Sequence, residues 1–166
     1  MKCALLCNGP SRVSYKSPEG YDHIIGCNVP WTFVHSTVVF DIDIINYYWK
    51  HPELIQFKIY FSRQAWRYTD SIKKRKLFID HFGDIIDPEY PFYSSGHGAL
   101  SVLIKMGATE VDIYGCDSWF EYDLSSYTHQ FANNAFADHK KCVDAWRNRW
   151  NNFIINNKQV KINFIR

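Results

Sequence analysis

One continuous stretch constrains the fold of this chain more than any other: residues 94–121, "SSGHGALSVLIKMGATEVDIYGCDSWFE". Small residues open the stretch, and an apolar run of helical length follows them up to Met106. Gly107 is the residue type that most often ends a helix, because glycine adopts left-handed backbone angles without a steric penalty. Val111 and Ile113 then alternate with polar residues, as in a strand. The stretch therefore predicts a turn, a buried helix, a second turn and a strand that ends at Gly-Cys-Asp.

Other short segments repeat this design along the chain. Strands are predicted in "KCALLCNGPS", "YDHIIGCN", "STVVFDID", "QFKIYFS" and "VKINFI". Helical spacing is present in "IINYYWKHPEL" and "HKKCVDAWRNRWNNFIINN", and "SIKKRKLFIDHF" predicts a basic connector or a short helix. Strands that alternate with helices indicate an α/β fold with a mostly parallel sheet and helices on both faces. We expect a single Rossmann-like domain that covers residues 1–166.

The composition excludes several classes of protein. The chain is 46% hydrophobic and 22% charged, which is ordinary for a globular domain. Its net charge of +2 is too small to identify a nucleic-acid binder. No apolar run approaches the ~20 residues of a membrane span, so a cytoplasmic protein is expected. Aromatic residues make up 17%, and we expect some of these rings to line a groove or an interface.

The five cysteines do not suggest a disulfide framework or a zinc site. Their number is odd and no pair has the Cys-x-x-Cys spacing. A structural zinc site needs a tighter group of Cys and His than this chain offers. We therefore expect free, buried and reduced thiols, as is usual in cytosolic proteins.

Small and polar residues follow four of the predicted strands, at the point where each strand ends. These loops are residues 8–11, 27–28, 41–43 and 115–117. In open parallel sheets, ligands bind beyond the carboxyl ends of the strands. If these strands are parallel neighbours, the four loops line one crevice, and we expect the ligand site there.

The residue types in these loops favour a nucleotide. The start of the helix after Ser94-Ser95-Gly96 would attract a phosphate group, and the amides of Asn8 and Asn28 suit a base or a ribose edge. The alternative is ordinary helix capping and turn formation by the same residue types. Neither GxGxxG nor GxxxxGK[ST] is present, so both interpretations stay open. The predicted donor contacts are Asn8, Gly9, Ser11, Asn28, Ser94, Ser95, Gly96 and Asp117.

Three patches together resemble a known family. "LCNGPS", "GCN" and "SSGHGALSVLIKMGATEVDIYGCD", in this order and spacing, resemble the bacterial CMP-sialic-acid-dependent sialyltransferases and related Rossmann-like proteins, including short phage proteins. The resemblance implies that a sugar is transferred from a nucleotide-sugar donor, a UDP- or CMP-sugar, to an acceptor hydroxyl. Asn8 and Asn28 match nucleotide-contacting asparagines of the family, and residues 94–96 match its turn near the phosphate. A phage gene would place the protein in the host cytoplasm.

The resemblance also implies catalytic residues. The family has a mobile lid after the Gly-x-Asp tip, about residues 117–138 here, with tyrosines near the phosphate, matched by Tyr122 and Tyr127. His139 matches the family's general base. A histidine with a near-neutral pKa can take the proton of an attacking hydroxyl, and tyrosine hydroxyls stabilise a leaving phosphate without a metal. His129 is a rival base, and His97 is an alternative phosphate contact.

Two features depart from the family. The chain is much shorter than typical members, so a sugar other than sialic acid is expected. Asp41-Ile42-Asp43 follows a strand, and many glycosyltransferases use Asp-x-Asp to hold Mg²⁺ or Mn²⁺ against the donor. The alternative is that Asp43 caps the next helix. We expect no required cofactor, with Mg²⁺ or Mn²⁺ at Asp41 and Asp43 as the alternative.

The acceptor and two other function classes complete the predictions. Basic and aromatic residues alternate in segments 63–68, 73–76 and 145–152, which suits DNA, and a hydroxymethylated base flipped out of phage DNA is one acceptor. The alternative is a solvated basic face with Trp146 and Trp150 in the core. A shortened lid also fits a non-catalytic nucleotide-binding protein. A pterin-type pyrophosphokinase would need a metal at Asp41 and Asp43.

Overall fold

The computed structural model of the chain describes residues 1–63, 72–86, 94–122 and 139–166, with the backbone alone at 72–75 and 139–142. The strands in these ranges are β1 (Lys2–Leu6), β2 (His23–Cys27), β3 (Ser36–Val39), β4 (Lys58–Ser62), β5 (Gly83–Ile86), β6 (Glu110–Tyr114) and β7 (Lys161–Ile165). The helices are α1 (Ile42–Lys50), α2 (Ile72–Phe82), α3 (Ser95–Lys105) and α4 (His139–Asn156). Within these ranges, no helix is long and apolar enough to cross a membrane.

The strands form one sheet in the order β5-β4-β3-β2-β1-β6-β7, and every described pair is parallel. The chain therefore builds the sheet outward from β1 to β5 and then returns to the other side of β1 for β6 and β7. Such a reversal is a topological switch point, and it leaves a crevice at the carboxyl ends of the two strands that flank it. The predicted α/β Rossmann-like fold is confirmed.

The sequence reading missed β5. The basic segment predicted as a connector or short helix is α2, and β5 follows it directly. Four residues leave little room for a periodic pattern, and the helix passes into the strand without Pro, Asn or Ser as a turn signal. Because β5 is a parallel edge strand, the fold class predicted without it was still correct.

One face of the sheet is covered by α3 and α4. Leu5, Ile25 and Val38 point from β1, β2 and β3 into a core with Leu100 of α3. Trp150 of α4 lies in the same core with 2% of its surface exposed. This confirms the prediction that α3 is a largely buried helix, and it gives Trp150 the core role that was the alternative to a DNA-facing surface.

The opposite face has two separate clusters. Helices α1 and α2 pack on β3 and β4, and the apolar cluster between them includes Tyr48 of α1, Ile79 of α2 and Phe61 of β4. Over β1 and β2 the cover is aromatic: Tyr15 packs edge-on against Trp31 and Tyr114 at ring distances of 6.0 and 5.3 Å. Helices thus lie on both faces of the sheet, as predicted, and many of the aromatic rings are core residues.

Candidate functional site

The tips of β1 and β6 are joined at the switch point. Cys7 N–H donates to Tyr114 O and Gly9 N–H donates to Gly115 O, both at 2.8 Å. A side chain at Gly9 would begin 2.1 Å from Asp117 Oδ2, so only glycine fits there. These contacts therefore join the two loops at the centre of the carboxyl edge of the sheet.

Asp117 also joins the loop after β6 to the loop after β1. Its carboxylate accepts hydrogen bonds from the Ser11 backbone N–H (3.0 Å to Oδ2) and from Ser11 Oγ (3.0 Å). Only 6% of the Asp117 surface is exposed. Ser11 and Asp117 thus hold the two loops together, and direct contact of either side chain with a donor stays a prediction.

Asn8, at the tip of β1, has a buried side-chain oxygen without a partner among the described residues. Its Nδ2 donates to Cys27 O at 2.6 Å, and since a carbonyl oxygen only accepts, this bond fixes which end of the amide is which. Oδ1 is buried and has no hydrogen-bond partner among the described residues, and 6% of the whole residue is exposed. A buried acceptor without a partner is rare and destabilising by about 1–3 kcal/mol. An N–H or O–H group of a ligand would complete the hydrogen bonding of this oxygen.

Asn28 links β2 to the start of α3. Its φ of 56° is left-handed, a conformation that asparagine tolerates better than most residues. Its Oδ1 accepts from Ser95 Oγ at 2.9 Å, and its backbone oxygen accepts from Thr37 Oγ1 and Tyr48 Oη at 3.1 and 3.0 Å. These bonds hold Asn28 next to the first turn of α3.

The first turn of α3 faces the same crevice. Ser94 is the N-cap, and Gly98 N–H donates the first helical bond to Ser94 O at 3.2 Å. A side chain at Gly96 would begin 3.2 Å from Trp150 and 3.3 Å from Cys7 Sγ, so this glycine lets the helix approach both. A helix start of this kind carries unpaired N–H groups and a partial positive charge, which suit phosphate.

His97 is a core residue, not a phosphate contact. None of its surface is exposed, and its ring stacks on Trp150 at 4.1 Å. Ser94 N–H donates to His97 Nδ1 at 3.4 Å and Nε2 faces Trp146 O at 3.3 Å, so the neutral tautomer with hydrogen on Nε2 fits both. Burial lowers the pKa of His97 to about 3. The alternative of a phosphate contact at His97 is therefore wrong for this structure.

The lid residues are described only in part. Tyr122 is 43% exposed, and its hydroxyl donates to Asp144 Oδ1 at 2.9 Å. The Arg147 guanidinium lies 4.4 Å from the Tyr122 ring centroid, and Arg147 Nε donates to Ser118 O at 2.7 Å. These contacts dock the segment after β6 against α4. Tyr127 and His129 lie outside the described residues, and so does the side chain of His139, the first residue of α4.

The Asp-x-Asp segment caps a helix. Asp41 is the N-cap of α1, and its Oδ1 accepts from Asp43 N–H at 2.9 Å. The cap is thus Asp41 and not Asp43, which sits in the first turn. In the described ranges, no three His, Cys, Asp or Glu side chains are grouped so that they could hold a metal ion. A role for Asp41 and Asp43 in holding Mg²⁺ or Mn²⁺ stays a prediction.

Cysteine thiols lie at the carboxyl ends of three strands near the site. Cys7 and Cys27, at the ends of β1 and β2, have sulfur atoms 3.9 Å apart. A hydrogen bond with Cys7, together with burial, raises the pKa of the Cys116 thiol well above its ordinary value. The four cysteines with described side chains, which include Cys3, are free, as predicted.

Sequence reasoning overlooked Arg12 and Trp31. Arg12 Nη1 donates to Asn8 O at 3.2 Å, and its guanidinium lies 5.8 Å from the Trp31 ring centroid. Trp31 Nε1 in turn donates to Cys7 O at 3.4 Å. Their position in the sequence could have identified Arg12 and Trp31, because each lies within four residues of a polar strand end that was predicted to be part of the site.

A second concave surface lies at the opposite edge of the sheet. It is a groove of about 600 Å³ lined by residues that include His35, Lys58, His81 and Asp84. It lies at the amino ends of β3, β4 and β5, whereas Asn8, Asn28 and Ser95 lie at the carboxyl edge. This groove and the site around Asn8 are therefore at opposite ends of the strands.

Comparison with known proteins agrees with the architecture. No protein-family model matches the chain, and no curated protein sequence matches it. Among solved structures, the sialyltransferase CST-II, crystallised in complex with a trisaccharide acceptor and CMP, superimposes with a TM-score of 0.60 at 16% identity. The alignment covers 99% of this chain and 80% of that one. The chain thus has a sialyltransferase-like fold.

Proposed function

We propose that this chain is a glycosyltransferase that moves a sugar from a nucleotide-sugar donor to an acceptor hydroxyl. The observation that carries the proposal is the unpaired, buried Oδ1 of Asn8 at the topological switch point, beside the first turn of α3. A CMP-bound sialyltransferase with the same fold supports the donor class, a CMP- or UDP-sugar.

The chemistry of Asn8 tells which part of the donor it meets. An acceptor oxygen pairs with a hydroxyl or an amino group, and it repels the oxygens of a phosphate. Asn8 therefore contacts the ribose or the base. The phosphate is left for the N–H groups at Ser95 and Gly96. Asn28, bonded to Ser95, lies between these two contacts.

The remaining residues supply the transfer step. His139 takes the proton of the acceptor hydroxyl as that oxygen attacks the sugar, since a histidine base works best with a pKa near neutrality. The first turn of α3 stabilises charge on the leaving phosphate, and Tyr127 assists it. Tyr122 joins them by exchanging its bond to Asp144 for one to phosphate. No metal is needed for this scheme.

The acceptor is the finer part of the proposal. Arg63 and Lys76 are exposed and belong to two of the basic segments, which supports a hydroxymethylated base in DNA as an acceptor. Trp150 is buried and cannot stack on such a base. Affinity for duplex DNA should fall steeply as salt rises, and a chain that does not bind a duplex even at low salt does not use DNA.

Thermal unfolding with a panel of UDP-, CMP-, GDP- and ADP-sugars, with and without Mg²⁺, tests the proposal. At least one donor should raise the melting temperature, because a ligand stabilises the folded state according to its affinity. Asn8→Ala should weaken binding of that donor by about 10-fold, the value of one hydrogen bond to a buried polar atom.

Asn157→Ala is the matched control. Asn157 also donates its Nδ2 to a backbone carbonyl, Phe153 O at 3.0 Å, but it lies between α4 and β7 at the opposite edge of the sheet. Its loss should leave donor binding unchanged. Stabilisation by no donor would contradict the proposal. A requirement for Mg²⁺ with loss of binding in Asp41→Asn would favour the pyrophosphokinase alternative, and binding without turnover of any donor would favour a non-catalytic protein.

A further inference from the structure

Asn28 has a backbone conformation that its neighbours must hold. Its φ of 56° is the one positive φ outside glycine in the described part of the chain. Asparagine tolerates left-handed angles better than most residues, but the conformation is still strained and persists only where the surroundings fix it. Strained residues of this kind cluster at binding and catalytic sites, and Asn28 lies at the end of β2 beside the first turn of α3.

Hydrogen bonds fix the peptide unit that precedes the Asn28 α-carbon. The oxygen of this unit, Cys27 O, accepts from Asn8 Nδ2 at 2.6 Å. Its N–H group, that of Asn28, donates to Val38 O next to it on β3 at 2.9 Å. Since this unit is held on both sides, φ of Asn28 can relax to negative values only if the following peptide unit and the Asn28 side chain move.

Two buried hydroxyls hold that following unit. Tyr48 Oη, on α1, donates to Asn28 O at 3.0 Å, and Thr37 Oγ1, on β3, donates to the same oxygen at 3.1 Å. Tyr48 is 1% exposed and Thr37 is 0% exposed, so neither side chain is open to a ligand. A carbonyl oxygen has two lone pairs, and here two donors keep Asn28 in its left-handed conformation.

This arrangement places the Asn28 side chain. Its Oδ1 accepts from Ser95 Oγ, in the first turn of α3, at 2.9 Å. Helix α3 lies on one face of the sheet, whereas Tyr48 belongs to the apolar cluster on the opposite face. Asn28 is therefore held between a helix on each face, and a shift of its backbone would move its amide relative to α3.

We infer that Tyr48 is a positioning residue of the nucleotide site: its hydroxyl, with that of Thr37, holds Asn28 so that the Asn28 amide meets the donor. The inference rests on the proposed function, because it assumes a nucleotide beside Asn28. It adds to that function a residue that acts on donor affinity without touching the donor. This residue belongs to α1, a helix that carries none of the predicted donor contacts.

Tyr48→Phe tests the inference, because it removes one hydroxyl and keeps the ring in the core. Calorimetric titration uses the nucleotide sugar that stabilises the wild type most. The variant should bind this donor about 2- to 10-fold more weakly than the wild type, the effect of one hydrogen bond. In an Asn28→Gly background, Tyr48→Phe should cause no further loss of affinity. Glycine adopts left-handed angles without a penalty and has no amide to place, so the two changes should not add.

Tyr15→Phe is the matched control. Tyr15 is also buried, and its hydroxyl has no hydrogen-bond partner among the residues that the structure describes. Its replacement should leave donor affinity unchanged. Melting temperatures report whether each variant is folded. If Tyr48→Phe unfolds, Thr37 provides the readout: Thr37→Val should weaken donor binding, and Thr37→Ser, which keeps the hydroxyl, should retain it.

Four results would overturn the inference alone. A Tyr48→Phe variant with a lower melting temperature and full donor affinity would make Tyr48 a core residue only. An equal loss of affinity in Tyr15→Phe would show that any buried tyrosine hydroxyl has this effect. A further loss in the Asn28→Gly background would show that Tyr48 acts through another residue, and full affinity in Asn28→Gly alone would remove Asn28 from the site. A wild type that binds no nucleotide and no nucleotide sugar would instead contradict the proposed function.

Discussion

Replacement of His139 by alanine is expected to lower kcat by about 100- to 10,000-fold, the usual contribution of a general base. The acceptor hydroxyl is a weak nucleophile until its proton is taken, and we propose that His139 takes it. Donor affinity should change little, since we propose that Asn8, Asn28 and the first turn of α3 hold the donor. The measurement is the rate of nucleotide release from the donor identified by thermal unfolding, alongside the donor's dissociation constant.

His51→Ala is the control for this experiment. His51 is exposed at the end of α1 and lies near Glu53, at 3.3 Å. Its replacement should leave both the rate and the affinity unchanged. Full activity in His139→Ala would remove His139 from the mechanism. If His129→Ala then lost activity with its donor binding intact, the base would be His129.

The stability of the chain should fall in mild acid because of His97. Burial lowers the folded-state pKa of this histidine to about 3 from its ordinary value of 6.5. Between those values the unfolded chain binds a proton that the folded chain does not, so the free energy of unfolding decreases as the pH falls. The contribution is fully present above about pH 6.5 and declines by at most about 1.4 kcal/mol per pH unit below it.

Urea unfolding of the wild type and of His97→Gln at pH 7, 6, 5 and 4 measures this contribution. Glutamine keeps hydrogen-bonding capacity and does not titrate. At pH 7 the variant should be the less stable protein, because the ring contact with Trp150 is lost. The difference between the two proteins should narrow as the pH falls. An identical pH dependence in both would show that His97 is not held neutral by burial.

The sequence predicted the fold because the hydrophobic periodicity of a strand or a helix is visible within a few consecutive residues. The apolar runs that end in Asn8, Asn28 and Asp117 were correctly placed at one edge of a parallel sheet, since in parallel sheets all carboxyl ends meet there. The strand β5 was not predicted, because four residues directly after a helix carry no periodic signal. Local pattern thus predicted the fold class and missed a short edge strand, and it did not predict the strand order.

The details of the site could not be predicted from sequence patterns. The position of His97 at the helix start suggested a phosphate contact, yet Gly96 lets Trp150 approach and the His97 ring is buried. The unpaired Oδ1 of Asn8 follows from a bond between Nδ2 and Cys27, nineteen residues away. Such facts depend on contacts between distant segments, and a single sequence does not show them.

We propose that a nucleotide binds at the switch point between β1 and β6. The most direct test is a crystal structure of the chain with the nucleotide or nucleotide sugar that stabilises it most. We expect a ribose or base group within hydrogen-bond distance of Asn8 Oδ1 and a phosphate at the N–H groups of Ser95 and Gly96. A nucleotide in the groove between His35 and Asp84 at the opposite edge, with the Asn8 crevice left empty, would contradict it.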